Sequence, residues 1–428
     1  MIIRRAVQAL LLGTCLQGAW GPASSAGAAQ GTAGMPWVAA ASATAADPAQ
    51  GIIARGKYLA AAGDCVSCHT RRDGEPFAGG VGFETPVGTI YSSNITPDGE
   101  TGIGQWTSAD LRKAMHEGIG RGGKRLFPAF PYTSFTKVSD QDVDALYAYL
   151  RSLKAVRYNP PANGFLFSQR WTMAIWNAIF FEPGRFVPDP GKPADWNTGA
   201  YLVQGLGHCG ACHTPRNMLL AEDADRAFAG GTVTDEVAPG KARRWSAVNL
   251  TPARDGLAAW SVDDLARYLK TGYSLRAGAF GPMVDVVANG TMQLSAEDVR
   301  AMATYLKALR PLERPEPPAA AGQPDLGASL YKERCEKCHM SSGRGGFLTA
   351  PPLAGSAIVQ AEDPASLVNI ILYGQGPAHN LPGNAWETMK AYADVLSDEQ
   401  VAAVGNYVRA SWKNRAAPVT ASQVATQR

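Results

Sequence analysis

Six cysteines of this chain fall into three pairs of one spacing, Cys65 and Cys68, Cys209 and Cys212, Cys335 and Cys338, and a histidine follows each pair at once: His69, His213 and His339. Cysteines three apart lie on one face of a helical turn, so two sulfurs reach the two vinyl groups of one porphyrin from the same side. The next residue brings an imidazole toward the iron. A disulfide needs no adjoining histidine. A tetrahedral zinc site needs four nitrogen or sulfur ligands, whereas each cluster offers three and the chain holds only 6 histidines. Cys-x-x-Cys-His therefore reads as thioether attachment of a haem with the histidine on the metal, and three copies predict three covalently bound haem c groups.

A methionine thioether in the sixth position favours ferrous iron and raises the potential, and it is expected on the loop before the closing helix of each unit. Met283, in the turn Gly281-Pro282-Met283, is the candidate in the second unit, ahead of Met292, and Met389 is the candidate in the third. The first unit breaks the pattern: its loop reads Phe127-Pro128-Ala129-Phe130-Pro131-Tyr132 and holds no methionine. Phe130 cannot bind iron, so haem 1 is five-coordinate or water-ligated, or else His116 supplies a second imidazole and a lower potential. His208 and His379 are not expected to ligate iron.

The elements that position these groups repeat along the chain. Arg55-Gly56-Lys57-Tyr58-Leu59 before the first motif is answered by Gly199-Ala200-Tyr201-Leu202 before the second and by Gly327-Ala328-Ser329-Leu330-Tyr331 before the third. Phe77-Ala78-Gly79-Gly80 is answered by Phe228-Ala229-Gly230-Gly231, and Asn94-Ile95-Thr96-Pro97 by Asn249-Leu250-Thr251-Pro252. Closing helices begin at Ser139, Ser295 and Ser397, each a serine N-cap with Asp142, Asp298 or Gln400 three residues on, and each buries a stripe ending in Tyr149, Tyr305 or Tyr407. One helix before each motif and one at the end of each unit predict an all-α fold of three tandem domains over 47–158, 195–310 and 324–415. They are joined by an apolar linker at 159–194 and a Pro/Ala linker at 311–323, and a polar tail follows at 416–428. Within the first linker, Phe165 to Phe181 reads as a partner-docking surface or as an interdomain helix packed on the domains.

Residues 1–46 carry Arg4 and Arg5, an apolar run from Ala6 to Leu12 and then an Ala/Gly/Ser-rich stretch, the pattern of a secretory signal cleaved between Ala26 and Ala45. Cys15 falls inside it. The formal net charge is +3 and drops further once Arg4 and Arg5 are removed, too weak a field for a nucleic-acid or anionic-membrane partner chosen by net charge.

The stretches Gly56-Lys57-Tyr58-Leu59 to Thr70, Asn94-Ile95-Thr96-Pro97-Asp98, Gly207-His208-Cys209 to Asn217 and Gly281-Pro282-Met283 resemble the three-haem cytochrome c subunit of membrane-associated alcohol and sugar dehydrogenases, of the gluconate, sorbitol and fructose type. The resemblance implies a non-catalytic electron-transfer subunit on the periplasmic side of the cytoplasmic membrane. Its electrons would come from a catalytic partner that carries flavin or pyrroloquinoline quinone and pass to ubiquinone or another membrane respiratory component. The family's second and third distal methionines fall on Met283 and Met389, and its first falls on Phe130. Some relatives end in an apolar membrane helix; here the polar run 416–428 stands instead, and no membrane-spanning helix is expected in the mature chain. Two further readings are a free-standing periplasmic shuttle to a terminal oxidase and an open first haem that reduces peroxide or senses a gas.

Overall fold

The computed structural model describes residues 48–85, 88–164, 170–238, 241–315, 324–347, 349–375, 381 and 386–428. Residues 1–47, with Cys15 and the expected export signal, the segment 165–169 and His379 lie outside the described residues.

The first unit runs from helix α1 (Pro48–Ala62) into the one-turn helix α2 (Cys65–His69), a hairpin of β1 (Gly82–Thr85) and β2 (Gly88–Tyr91), then α3 (Ser108–Glu117), the turn α4 (Tyr132–Phe135) and α5 (Asp140–Ser152). After α6 (Thr172–Phe180) the order repeats with α7 (Ala194–Gln204), α8 (Gly210–His213), the hairpin β3 (Gly231–Ala238) and β4 (Lys241–Ala247), α9 (Val262–Thr271), α10 (Met283–Asp285) and α11 (Ala296–Lys307). The third unit comprises α12 (Pro324–Arg334), α13 (Glu336–His339), α14 (Ala365–Tyr373), α15 (Asp398–Ala410) and α16 (Ala421–Ala425).

The chain is mostly helical, as the periodicity requires, but the two antiparallel hairpins were not in the all-α expectation. They pair Gly82 with Tyr91 and Gly231 with Ala247 at their open ends. Each follows a Phe-Ala-Gly-Gly repeat whose phenylalanine, Phe77 or Phe228, takes a left-handed φ of 63° or 64°. A reversal of that kind ends helical continuation and lets the glycines that follow open a strand.

In each unit the first helix crosses the closing helix at a glycine. A Cβ on Gly56 would collide with the Ala145 carbonyl of α5 and with Tyr149; Gly199 meets Ala301 and Tyr305 in the same way, and Gly327 meets Ala403 and Tyr407. The repeated Gly and Tyr of the sequence thus mark one helix crossing made three times. Only hydrogen at that position lets the two backbones approach.

Units one and two share a single apolar core that joins Leu59, Val143 and Leu146 to Leu202, Val203, Met302 and Leu306. At roughly 1.5–3 kcal/mol for each fully buried aliphatic side chain, this shared core outweighs any polar contact between the units. A second core gathers Tyr331, Leu372, Val401 and Val404. The run 416–428, expected as a polar tail, packs onto that second core through Val419 and Val424. Thr420 and Gln423 form a capping box that starts α16, and the Gln427 carbonyl accepts from the Tyr373 hydroxyl at 2.7 Å. Two valines five apart were too sparse a pattern to announce an amphipathic helix.

Candidate haem-binding sites

Each Cys-x-x-Cys-His motif folds into a single helical turn. His213 N–H donates to the Cys209 carbonyl at 3.0 Å and His339 N–H to the Cys335 carbonyl at 2.9 Å. The i, i+3, i+4 placement read from the spacing is therefore realised. No disulfide joins any two of the six sulfurs. Burial pushes Cys65, Cys68 and Cys209 up to about 12 and Cys335 up to about 11. A dithiol oxidoreductase needs the opposite, a thiol pulled down toward neutrality. No cluster of three or more His, Cys, Asp or Glu side chains that could hold a metal ion occurs among the described residues.

The three histidines share one second partner. His69 Nδ1 lies 2.7 Å from the Ser93 carbonyl, His213 Nδ1 2.7 Å from the Val248 carbonyl and His339 Nδ1 3.1 Å from the Pro351 carbonyl. A carbonyl only accepts, so each Nδ1 carries the proton and each Nε2 is left as a lone-pair donor, the tautomer and orientation an iron ligand requires. Burial lowers the pKa of all three rings, which keeps them neutral.

The Asn-x-Thr-Pro repeats set two of those carbonyls. Asn94 Oδ1 accepts from the Thr96 N–H at 2.9 Å and from its hydroxyl at 2.7 Å, while Asn94 Nδ2 reaches the Val156 carbonyl at 2.8 Å. Asn249 does the same with Thr251 at 2.9 and 2.7 Å and reaches Leu312 at 3.1 Å. Ser93 and Val248 immediately precede these asparagines. The sequence displayed the repeat but not its task, since nothing local to Asn94 points at a histidine 25 positions earlier.

The distal candidates differ between units. Met283 opens α10 and is partly buried, two residues after Gly281, whose neighbour across the loop is the Trp245 ring. Trp245 Nε1 is buried with no partner, an orphan donor that an acceptor on a bound group, such as a haem propionate, would satisfy. Cysteines without disulfides, fixed imidazole tautomers and this orphan indole N–H all fit a covalently held haem. Met389 packs against the second core, and its backbone exchanges hydrogen bonds of 2.9 and 3.2 Å with Gln375. Gln375 Nε2 in turn donates to the Ala279 carbonyl at 2.9 Å, so the Met389 loop and the Met283 loop are tied together.

Phe130 packs edge-on against Phe135 with ring centroids 5.2 Å apart, and Phe135 packs against the His208 ring at 5.5 Å. Phe135 therefore links the loop where haem 1 would find its distal ligand to the residue just before Cys209. His208 Nδ1 lies 2.7 Å from the Leu206 carbonyl. The opposite side of the junction is closed by the second unit, where Asn289 Nδ2 donates to Ser67 Oγ at 2.9 Å. Ser67 Oγ itself donates to Asp64 Oδ1 at 2.6 Å. His116 is 2% exposed, and its Nδ1 lies 3.7 Å from Asp140 Oδ1. Burial, then the nearby Arg185 guanidinium, pushes its pKa down to about 4, so near neutral pH this contact is not an ion pair.

Residues 53–154 match the family model for cytochrome c, and residues 322–408 match that for cytochrome c oxidase, cbb3-type, subunit III. The chain is 39% identical to the cytochrome c subunit of the quinone alcohol dehydrogenase of Gluconacetobacter polyoxogenes, over 88% of this chain and 84% of that one. It is 40% identical to the gluconate 2-dehydrogenase cytochrome c subunit of Pantoea cypripedii, over 88% and 89%. Similarity to one of the subunits of nicotinate dehydrogenase from Pseudomonas putida, at 44% identity over 84% of this chain, spans only 30% of that longer protein.

Proposed function

Because this chain belongs to the cytochrome c subunits of alcohol and gluconate dehydrogenases, we propose that it is a non-catalytic relay carrying three covalent haem c groups from which electrons pass, one at a time, toward ubiquinone. The observation that carries this reading is the recurrence, at three separate Cys-x-x-Cys-His turns, of the same Nδ1-to-carbonyl hydrogen bond. When bound, haem supplies one-electron redox chemistry; the chain supplies attachment, ligation and burial.

In this reading Cys65 and Cys68, Cys209 and Cys212, and Cys335 and Cys338 form the thioethers. His69, His213 and His339 are the proximal ligands, and Met283 and Met389 are the distal ligands in units two and three. Phe130 in the place of the family's methionine favours a haem 1 without a strong protein ligand on its distal side; His116, with Nδ1 3.7 Å from Asp140 Oδ1 and a buried Nε2 that has no partner, is the alternative ligand. The three helix crossings support three tandem cytochrome c domains over 47–158, 195–310 and 324–415. The source of electrons is a periplasmic dehydrogenase that carries flavin or pyrroloquinoline quinone, and the work is done at the outer face of the cytoplasmic membrane after export on residues 1–46.

The test is the intact mass and haem content of the exported protein, together with its company in a detergent extract. Three haems per chain and co-purification with a larger catalytic partner are expected. A mass equal to the bare polypeptide would remove the haem assignment, and a fully haem-loaded protein found alone in the soluble fraction would remove the complex.

A further inference from the structure

Helix α6 contributes no fully buried residue to the fold, although its composition is almost wholly apolar. Its inner side is held by polar and aromatic contacts. Tyr132 donates to Asn177 Oδ1 at 2.6 Å, Phe181 packs on Tyr132 at 5.1 Å, and Trp176 Nε1 donates to the Leu219 carbonyl at 2.9 Å. Its outer side presents Ile175, 54% exposed, and Ile179, 59% exposed, one turn apart on a single face. Met218, 100% exposed, and Leu219, 61% exposed, extend that face on the neighbouring loop. A contiguous aliphatic surface of this kind costs free energy in water and marks a contact with an apolar medium or partner.

Charge at the head of the helix selects between those two. Lys124, Arg125 and Arg170 gather there: Arg170 Nη1 donates to the Arg125 carbonyl at 2.6 Å, and the Arg170 guanidinium lies 4.7 Å over the Phe127 ring. Arg170 is close enough to Lys124 to lower its pKa, in addition to burial. No ion pair links these three cations to a carboxylate among the described residues. Uncompensated cations beside an exposed aliphatic helix face match the anionic headgroups and acyl boundary of a phospholipid surface.

We propose that α6 lies in the surface of an anionic phospholipid bilayer, with Ile175, Ile179, Met218 and Leu219 in the acyl boundary and Lys124, Arg125 and Arg170 on the headgroup phosphates. The proposal rests on the electron-relay reading above and adds the face by which the relay meets its membrane. Tyr132, two residues from Phe130, bonds to Asn177 on the inner side of the helix, so this orientation turns the distal loop of unit one toward the lipid.

The experiment is co-sedimentation of the haem-loaded chain with vesicles of phosphatidylglycerol and phosphatidylcholine, and with phosphatidylcholine alone, at low and high salt. Binding to the anionic vesicles that weakens with salt is expected. The double variant Ile175→Asn/Ile179→Asn should lose affinity on the order of tenfold per side chain. Lys124→Gln/Arg125→Gln should lose roughly fivefold per charge, on anionic vesicles only. Failure of the unaltered protein to bind anionic vesicles would overturn the proposal. So would unchanged binding by the isoleucine variant with its visible spectrum intact, or a variant that releases the catalytic dehydrogenase while it still binds lipid. Loss of the haem spectrum in the unaltered chain would instead strike the relay reading, before any vesicle is added.

Discussion

The hydroxyl of Tyr201, on the first helix of unit two, donates to Asp142 Oδ2 at 2.6 Å on the closing helix of unit one, and it accepts the Ser139 N–H at 3.1 Å. Tyr58, on the first helix of unit one, returns the contact: it donates to Asp298 and accepts the Ser295 N–H at 3.1 Å. The two units therefore cap each other's closing helices by the same pair of bonds, an exchange with the logic of a two-fold interface inside one chain. It also explains why Asp142 and Asp298 do not complete the capping boxes expected of them, whereas Gln400 of unit three does. Ser139 and Ser295 cap as expected, but the N–H that a capping box would have used is taken by a tyrosine of the other unit.

Removing the Tyr58 hydroxyl strands the Asp298 carboxylate and the Ser295 N–H, and removing that of Tyr201 strands the Ser139 N–H and leaves Asp142 to Arg55 alone, whose guanidinium donates to Asp142 Oδ1 at 2.9 Å. Tyr201→Phe and Tyr58→Phe should each lower stability by about 1–3 kcal/mol in denaturant unfolding, with losses in the double variant that do not simply add if the exchange acts as one latch. Unit three, with its own core, should show no change in a local probe such as Trp412 fluorescence.

Met283→His and Met389→His should each lower the midpoint potential of one haem, on the order of 0.1 V or more, because a second imidazole stabilises ferric iron relative to a thioether. Redox titration of the purified protein checks it. A variant whose three potentials all match the parent would show that the substituted methionine is not a ligand.

Phe130 makes the first haem the odd one. The reduced protein should bind carbon monoxide at one haem in three, and Phe130→Met, which restores a thioether to that loop, should abolish the binding. His116→Ala should leave the gas binding unaltered, since an open distal position does not depend on that ring.

Asp64 supplies a pH signature. Burial, reinforced by the nearby Asp285 carboxylate, raises its pKa to about 7 against an ordinary 3.8. A raised folded-state pKa means that the folded chain holds a proton the unfolded chain has already lost, so this contribution to stability is complete below pH 4 and is lost as pH climbs toward 7. Asp64→Asn should flatten that slope, by an amount on the order of a few kcal/mol across the window. Unfolding measured at pH 5 and pH 8 for both proteins tests it.

What the sequence determined by itself is the local chemistry. Cys65, Cys68 and His69 must share a helical turn whatever surrounds them, because i, i+3 and i+4 adjacency belongs to the helix and not to the fold. The serine caps at Ser139, Ser295 and Ser397 are legible for the same reason: a hydroxyl and the N–H three residues on lie within one turn of backbone. The tertiary structure decided everything that joins distant turns. Which carbonyl fixes His69, how Tyr58 reaches Asp298 some 240 positions away, and why the valines of 416–428 fold back onto the second core all depend on where packing places separate helices. Spacing along the chain carries no record of that, since apolar burial is indifferent to sequence separation and only the closed core brings those polar partners within bonding distance.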